Sequence, residues 1–235
     1  MLLEVCCADI DSVKAAVEGG AQRVELCADL ECDGLTPSSD LILQALATGI
    51  KVHVLIRPRP GNFVYNEEEV REMENSILTA KRLGAHGVVI GALTEDGDID
   101  VETCQRLVDC AEGMNITFHR AFDVCNDPIL GFCTINNLGC NRLLTSGQKR
   151  SALEGAALIR KLVNMSQVKE KTSGRRFVVM PGAGLSADNV AQLLEQTHAT
   201  EVHGSLRSLV GGAMVTTAQN VRDVLEAANK SKAIV

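Results

Sequence analysis

The chain has 235 residues, of which 46% are hydrophobic and 3% aromatic, with no Trp and a single Tyr. That is enough apolar mass for one large core, while the scarcity of rings removes the stacking platforms on which single strands of nucleic acid are held. A formal charge of −7 excludes a broad phosphate-backbone surface, so nucleic acid is not an expected partner.

Taken in order, the hydrophobic pattern predicts a strand near 2–7, a helix from Asp9 to Glu18, and a strand near 22–27. A helix at 38–48, a strand at 51–57, a helix at 67–83 and a strand at 87–91 follow. The next units are a helix at 101–112, a strand at 115–119, a helix at 128–138 and a strand at 141–145. A helix at 151–165, a polar surface loop at 167–176 overlapping a strand at 176–180, a helix at 186–196, a strand at 200–204 and a helix at 216–229 complete the chain. Several units share one phrase, a Gly, a small residue, a turn and a Val/Leu/Ile-rich run, as in Gly19-Gly20-Ala21 before Val24 and Leu83-Gly84-Ala85 before Val88. Such a phrase is a left-handed helix cap leading through a tight turn into a buried strand. Strict βα alternation, repeated eightfold, predicts a single-domain (βα)8 barrel of the TIM type rather than an open sheet. Cys6-Cys7-Ala8-Asp9 stands where a dinucleotide-binding sheet would place its glycine-rich turn.

No signal peptide is expected, because Met1-Leu2-Leu3 runs directly into Glu4, and no apolar run approaches the ~18 residues that span a bilayer. The nine Cys are an odd, scattered set without paired CxxC spacing. They read as reduced thiols of a cytosolic protein, with neither a disulfide framework nor a zinc knuckle.

Polar residues keep one parity along the strands. Glu4 and Cys6 alternate with Leu3 and Val5; Glu25 and Cys27 with Val24 and Leu26; His53 and Arg57 with Val52, Val54 and Ile56. Thr117 and His119 flank Phe118, and Glu201 and His203 flank Val202. Alternate side chains face opposite sides of a strand. The apolar parity belongs under the helices, so the other parity points into the barrel, where branched apolar layers are the norm. Such a set either forms a compensated salt network that specifies the fold or marks a working site at the strand C-terminal ends.

The motifs Glu4-Val5-Cys6, Arg23-Val24-Glu25-Leu26-Cys27, Gly34-Leu35-Thr36-Pro37-Ser38 and Ile56-Arg57-Pro58-Arg59 resemble the CutC copper-homeostasis family. Thr117 through Asp123, Leu144-Thr145-Ser146-Gly147, Gly182-Ala183-Gly184 and Glu201-Val202-His203 continue the likeness in family order to about residue 207. The resemblance implies a TIM-type barrel, a cytoplasmic and in some relatives nuclear protein, Cu(I) binding at Cys6 and Cys27, and homo-oligomerisation. The chain departs from the family pattern at Cys32-Asp33, at Pro60-Gly61-Asn62 and in a short, Gly-rich segment over Leu209 to Val215.

Three chemistries remain open on the residues. Facing sulfurs on neighbouring strands would stand roughly 4–5 Å apart, which suits a two-coordinate Cu(I) bridge, while both Cys read equally well as small core fillers. Gly182, Gly184 and Ser205, at the loops after strands seven and eight, are placed to offer backbone N–H groups to a phosphate, or are plain turn chemistry. Glu4, Glu25, Arg57, His119 and His203 would suit general acid–base work on a small anionic metabolite held by Arg57 or Arg59. A barrel that serves only as a scaffold is the remaining alternative.

Overall fold

The computed structural model describes residues 1–232, with side chains described through residue 230. Strands β1 (Leu2–Cys7), β2 (Arg23–Leu26), β3 (Lys51–Leu55) and β4 (Gly87–Ile90) alternate with helices α1 (Ile10–Gly19), α2 (Ser39–Ala47) and α3 (Glu67–Leu83). The second half runs α4 (Val101–Cys110), β5 (Asn115–Phe118), α5 (Pro128–Asn137), β6 (Arg142–Thr145), α6 (Ala156–Ser173), β7 (Val178–Pro181), α7 (Val190–Thr197) and β8 (Glu201–Gly204). A hairpin of β9 (Arg207–Val210) and β10 (Ala213–Thr216) precedes α8 (Ala218–Lys232). Strands β1 to β8 pair in parallel in the order β7-β6-β5-β4-β3-β2-β1-β8. Strands β7 and β8 lie side by side without a hydrogen-bonded ladder, so the (βα)8 barrel is nearly closed.

Local chemistry accounts for the element ends. Asp9 caps α1 by accepting from the Ser12 N–H at 2.7 Å, and Asn66 with Glu69 forms a reciprocal capping box on α3. Gly20 and Gly84 close α1 and α3 at φ 92° and 93°, as the repeated phrase requires. His198 takes the same left-handed position after α7 at φ 57°.

Two apolar clusters are separated by the sheet. The outward parity, including Leu3, Val5, Val24, Leu26, Val52, Val54 and Ile90, packs with helix residues such as Val13, Met73, Ile77, Leu107 and Ile159. Inside the barrel, Cys6, Cys27, Leu55 and Val89 form a cluster of their own. Most of the remaining interior is polar by the alternation read from the sequence, with Met180 beside Arg23 and Leu144 at the mouth as apolar members.

Two expectations need correction. Helix α6 starts at Ala156 and continues to Ser173, through most of the stretch expected to be a surface loop. Its Lys, Glu and Gln are strong helix formers whose polarity suits an exposed face. Helix α7 begins at Val190, because Ser186 to Asn189 forms a turn in which the Asn189 side chain accepts from the Ser186 N–H. The short Gly-rich segment near Leu209 to Val215 is a β-hairpin, turning at Gly211 and Gly212 with φ 59° and 88°.

Candidate functional site

The deepest polar layer is an ion network. Arg23 bridges Glu4 and Glu201, reaching the latter at 2.7 Å, and Arg142 meets the same Glu201 oxygen at 2.7 Å. Arg142 also donates to Thr117 at 3.1 Å. All four ionic groups are buried, so their two positive and two negative charges must offset one another. Burial pushes the Glu4 carboxyl up, but the His203 hydrogen bond and the charges of Arg23, His203 and His53 override it and hold it well below the carboxylate range. Glu201 is likewise raised by burial and brought below its ordinary value by Arg142 and Arg23. His53, with Nδ1 3.8 Å from Glu4, is lowered to about 3 by burial despite the pull of Glu4. Arg23 and Arg142 share the inward parity of β2 and β6, but each sits at the entry to its strand, where alternation is hardest to read from sequence.

Above this layer stand the thiols. Cys6 Sγ is 3.7 Å from Cys27 Sγ and 3.5 Å from Glu25 Oε1. Donor atoms of Cys6, Glu25 and His203 lie within 4.8 Å of one another, and all three residues are buried. His203 Nδ1 is 2.9 Å from Glu4 Oε1, which fixes the imidazole from below. Burial lowers His203, yet the charge of Glu25, the contact with Cys6 and the bond to Glu4 raise it well above its ordinary value. Its Nδ1–H therefore donates to Glu4. Burial, reinforced by the charge of Glu4, pushes the Glu25 carboxyl up against the pull of His203. The Cys27 contact, then burial, raise the Cys6 thiol well above its usual value.

The mouth is a cavity of about 550 Å³, a volume suited to a small metabolite. Cys6, Glu25 and His203 form one wall, and Arg57, Phe63 and His119 another. Phe63 stacks at 4.9 Å from the His119 ring and lies 5.2 Å below the Arg57 guanidinium. His119 Nδ1 accepts from the Ala121 N–H at 3.1 Å, and burial with the charge of Arg57 lowers the imidazole to about 3. Arg57 directs its terminal nitrogens to the carbonyls of Cys32, Gly34 and Gly61 at 2.8, 3.0 and 3.0 Å. It thus ties the loops after β2 and β3 together while its Nε finds no partner among the described residues.

The structure does not bring every candidate into the mouth. Arg59 pairs with Glu69 and donates to the Val64 carbonyl at 2.7 Å, outside the cavity wall. The chain has left the sheet after Leu55, so strand parity no longer governs where Arg59 points. Gly182 also lies off the wall, donating to the Thr145 carbonyl at 3.0 Å. A Cβ there would stand 2.5 Å from Leu144 Cδ1 and 3.3 Å from His203 Cδ2, so its smallness lets two side chains pack. Gly184 and Ser205 do line the cavity. Asp123, which strand parity does not reach, accepts from the Ser146 and Gln148 N–H groups and pairs with Arg120 at 2.8 Å. It thereby fixes the loop after β6 to the turn after β5.

Comparison with known proteins agrees with this architecture. The chain is 47% identical over 204 residues to a CutC protein of Pasteurella multocida (strain Pm70), covering 86% of this chain and 81% of the relative. It is 45% identical over 209 residues to a Homo sapiens protein named copper homeostasis protein cutC homolog, covering 88% and 74%. A solved CutC structure from Streptococcus agalactiae superposes with a TM-score of 0.79 at 33% identity, over 87% of this chain and 98% of that one. Thiamine phosphate pyrophosphorylase from Pyrococcus furiosus, at 14% identity, TM-score 0.62 and coverage of 98% and 96%, shares the barrel fold alone. The model described as "CutC family" matches residues 1–208, from β1 to the start of the hairpin, and the chain belongs to that family.

Proposed function

We propose that this protein serves copper homeostasis by binding Cu(I) at Cys6 and Cys27, with His203 as a third donor. The observation that carries the reading is the buried thiol pair, 3.7 Å apart, whose Cys6 sulfur also lies within 4.8 Å of the His203 imidazole and the Glu25 carboxylate. Soft thiolates favour Cu(I) over hard cations, and imidazole suits copper as well. The spacing changes the expected coordination. With metal–sulfur bonds of about 2.3 Å, a linear bridge needs sulfurs about 4.6 Å apart. At 3.7 Å they subtend an angle of about 107° for the same bond length, which leaves room for a third ligand. Glu4 anchors the imidazole from below, as partners of metal-ligating histidines commonly do.

In this reading the protein works in a reducing compartment such as the cytosol, where its cysteines remain thiols. Among the described residues no helix is long and apolar enough to cross a membrane. Anaerobic titration of the reduced protein against a chromophoric Cu(I) chelator tests the site. About one Cu(I) per chain is expected, with loss of binding in Cys6→Ser combined with Cys27→Ser and about tenfold weakening in His203→Gln. Unchanged stoichiometry in the double variant overturns the assignment.

A further inference from the structure

Copper explains the thiols but not the other polar groups of the cavity. Among the described residues, Glu25 Oε2, Arg57 Nε, His119 Nε2 and Arg207 Nε are buried and find no hydrogen-bond partner within the chain, and all four side chains line the mouth. Buried polar atoms are rarely left so, and four around one cavity indicate a polar occupant. Glu25, Arg57 and His119 are each 5% exposed. Because His119 Nδ1 accepts from the backbone, the proton of the neutral ring sits on Nε2, which makes that atom a donor lacking an acceptor. Arg57 is a buried cation whose guanidinium donates to the neutral carbonyls of Cys32, Gly34 and Gly61 and pairs with no carboxylate among the described residues.

Across the mouth, the chain after β7 is shaped for an anion. Ala183 and Gly184 hold positive φ of 84° and 76°, a conformation seldom kept by an alanine without cause. The N–H groups of Ala183, Gly184 and Leu185 donate to no group of the chain among the described residues, nor do those of Ser205 and Leu206 after β8. These residues line the cavity beside Arg207, which forms no ion pair among the described residues.

We propose that the mouth binds a small phosphate ester. Its phosphoryl group sits against the N–H groups of Ala183 to Leu185 and Ser205 and the guanidinium of Arg207. A hydroxyl or carbonyl oxygen at its other end accepts from His119 Nε2 and Arg57 Nε and faces Glu25. Two donors on one wall and an anion cup on the other, separated by a cavity of about 550 Å³, fit a ligand that is charged at one end and oxygenated at the other. This site does not depend on the copper reading.

The test uses metal-free, reduced protein and two probes, inorganic phosphate and glycerol 3-phosphate, titrated by calorimetry with glycerol as control. Saturable binding of both probes, tighter for the ester, is expected, with no binding of glycerol. Arg207→Gln should weaken both probes about tenfold, the loss of one charge-assisted contact. His119→Gln should weaken glycerol 3-phosphate and leave inorganic phosphate unchanged. Because the protein is metal-free, these titrations read phosphate binding alone, so failure of the copper site and failure of this site read out separately. Absence of saturable binding of either probe up to about 10 mM, or unaltered affinity in Arg207→Gln, overturns the proposal.

Discussion

Replacing Arg23 with Met removes the cation that links Glu4 and Glu201, two of the three carboxylates of the barrel interior. The arginine is 3% exposed and contacts Glu4, which is 0% exposed, and Glu201, which is 6% exposed. Breaking a buried ion pair by deleting one partner costs about 3–5 kcal/mol, because an uncompensated charge stays behind. Here each carboxylate keeps a second partner, Glu4 through His203 and Glu201 through Arg142, both within 2.9 Å. The loss should therefore fall at the lower end, about 3 kcal/mol at pH 7. Urea unfolding followed by circular dichroism measures it. Adding Glu4→Gln to the variant removes the surplus charge and should restore about 1 kcal/mol relative to the single change. The sign of the pH dependence follows from Glu4, whose folded pKa is depressed. Its contribution is present above the unfolded carboxyl pKa of about 4.3 and lost as pH falls, so the gap between variant and parent narrows below about pH 4. A loss under about 1 kcal/mol at pH 7 would refute the view that the interior charges are mutually compensating.

His53 and His119 are both lowered to about 3 in the folded protein, so the unfolded chain, with a histidine pKa of about 6.5, binds more protons as pH falls. Stability should decline from about pH 6 downward, with a slope approaching about 2.7 kcal/mol per pH unit from these two groups, readable from unfolding midpoints between about pH 4 and about pH 7. His203 is raised instead, so it is protonated in both states below about pH 6 and adds no slope there. Gly91→Ala would place a Cβ 2.5 Å from His119 Cε1 and Nδ1. The overpacking should cost about 1–3 kcal/mol in urea unfolding and shift the His119 ring resonances. Cys104→Ala and Cys110→Ala should leave Cu(I) stoichiometry unchanged, since both residues lie on α4 outside the barrel interior. Leu209→Ser with Met214→Ser, at positions 70% and 50% exposed on the hairpin, should alter stability by no more than about 0.5 kcal/mol in the same unfolding assay.

Strand alternation is a local property of the backbone, which is why the inward orientation of Glu4, Glu25, Cys6, Cys27, His119 and His203 is legible in the sequence. The same rule extended to Arg23 and Arg142 finds the cations that compensate Glu4 and Glu201, although each also fits the turn phrase that opens its strand. The eight βα units are readable for a related reason: caps such as Asp9 and Asn66 and left-handed turns at Gly20 and Gly84 act within a few residues. What lies past the strand ends is not readable in this way. Arg59 and Gly182 share motifs with true cavity residues, yet one is drawn to Glu69 and the other packs between Leu144 and His203. Polar helix formers at the end of α6 resemble a loop because periodicity fades where no face is buried. The sequence alone determined the barrel and the identity of its inward residues, because both follow from periods of about two and about 3.6 along the chain. Only the tertiary structure decided the 3.7 Å between the sulfurs, the neutral carbonyls that occupy Arg57, and the gathering around one mouth of donors that lack a partner among the described residues. Those depend on where separate strands and loops meet in space, which no local period encodes.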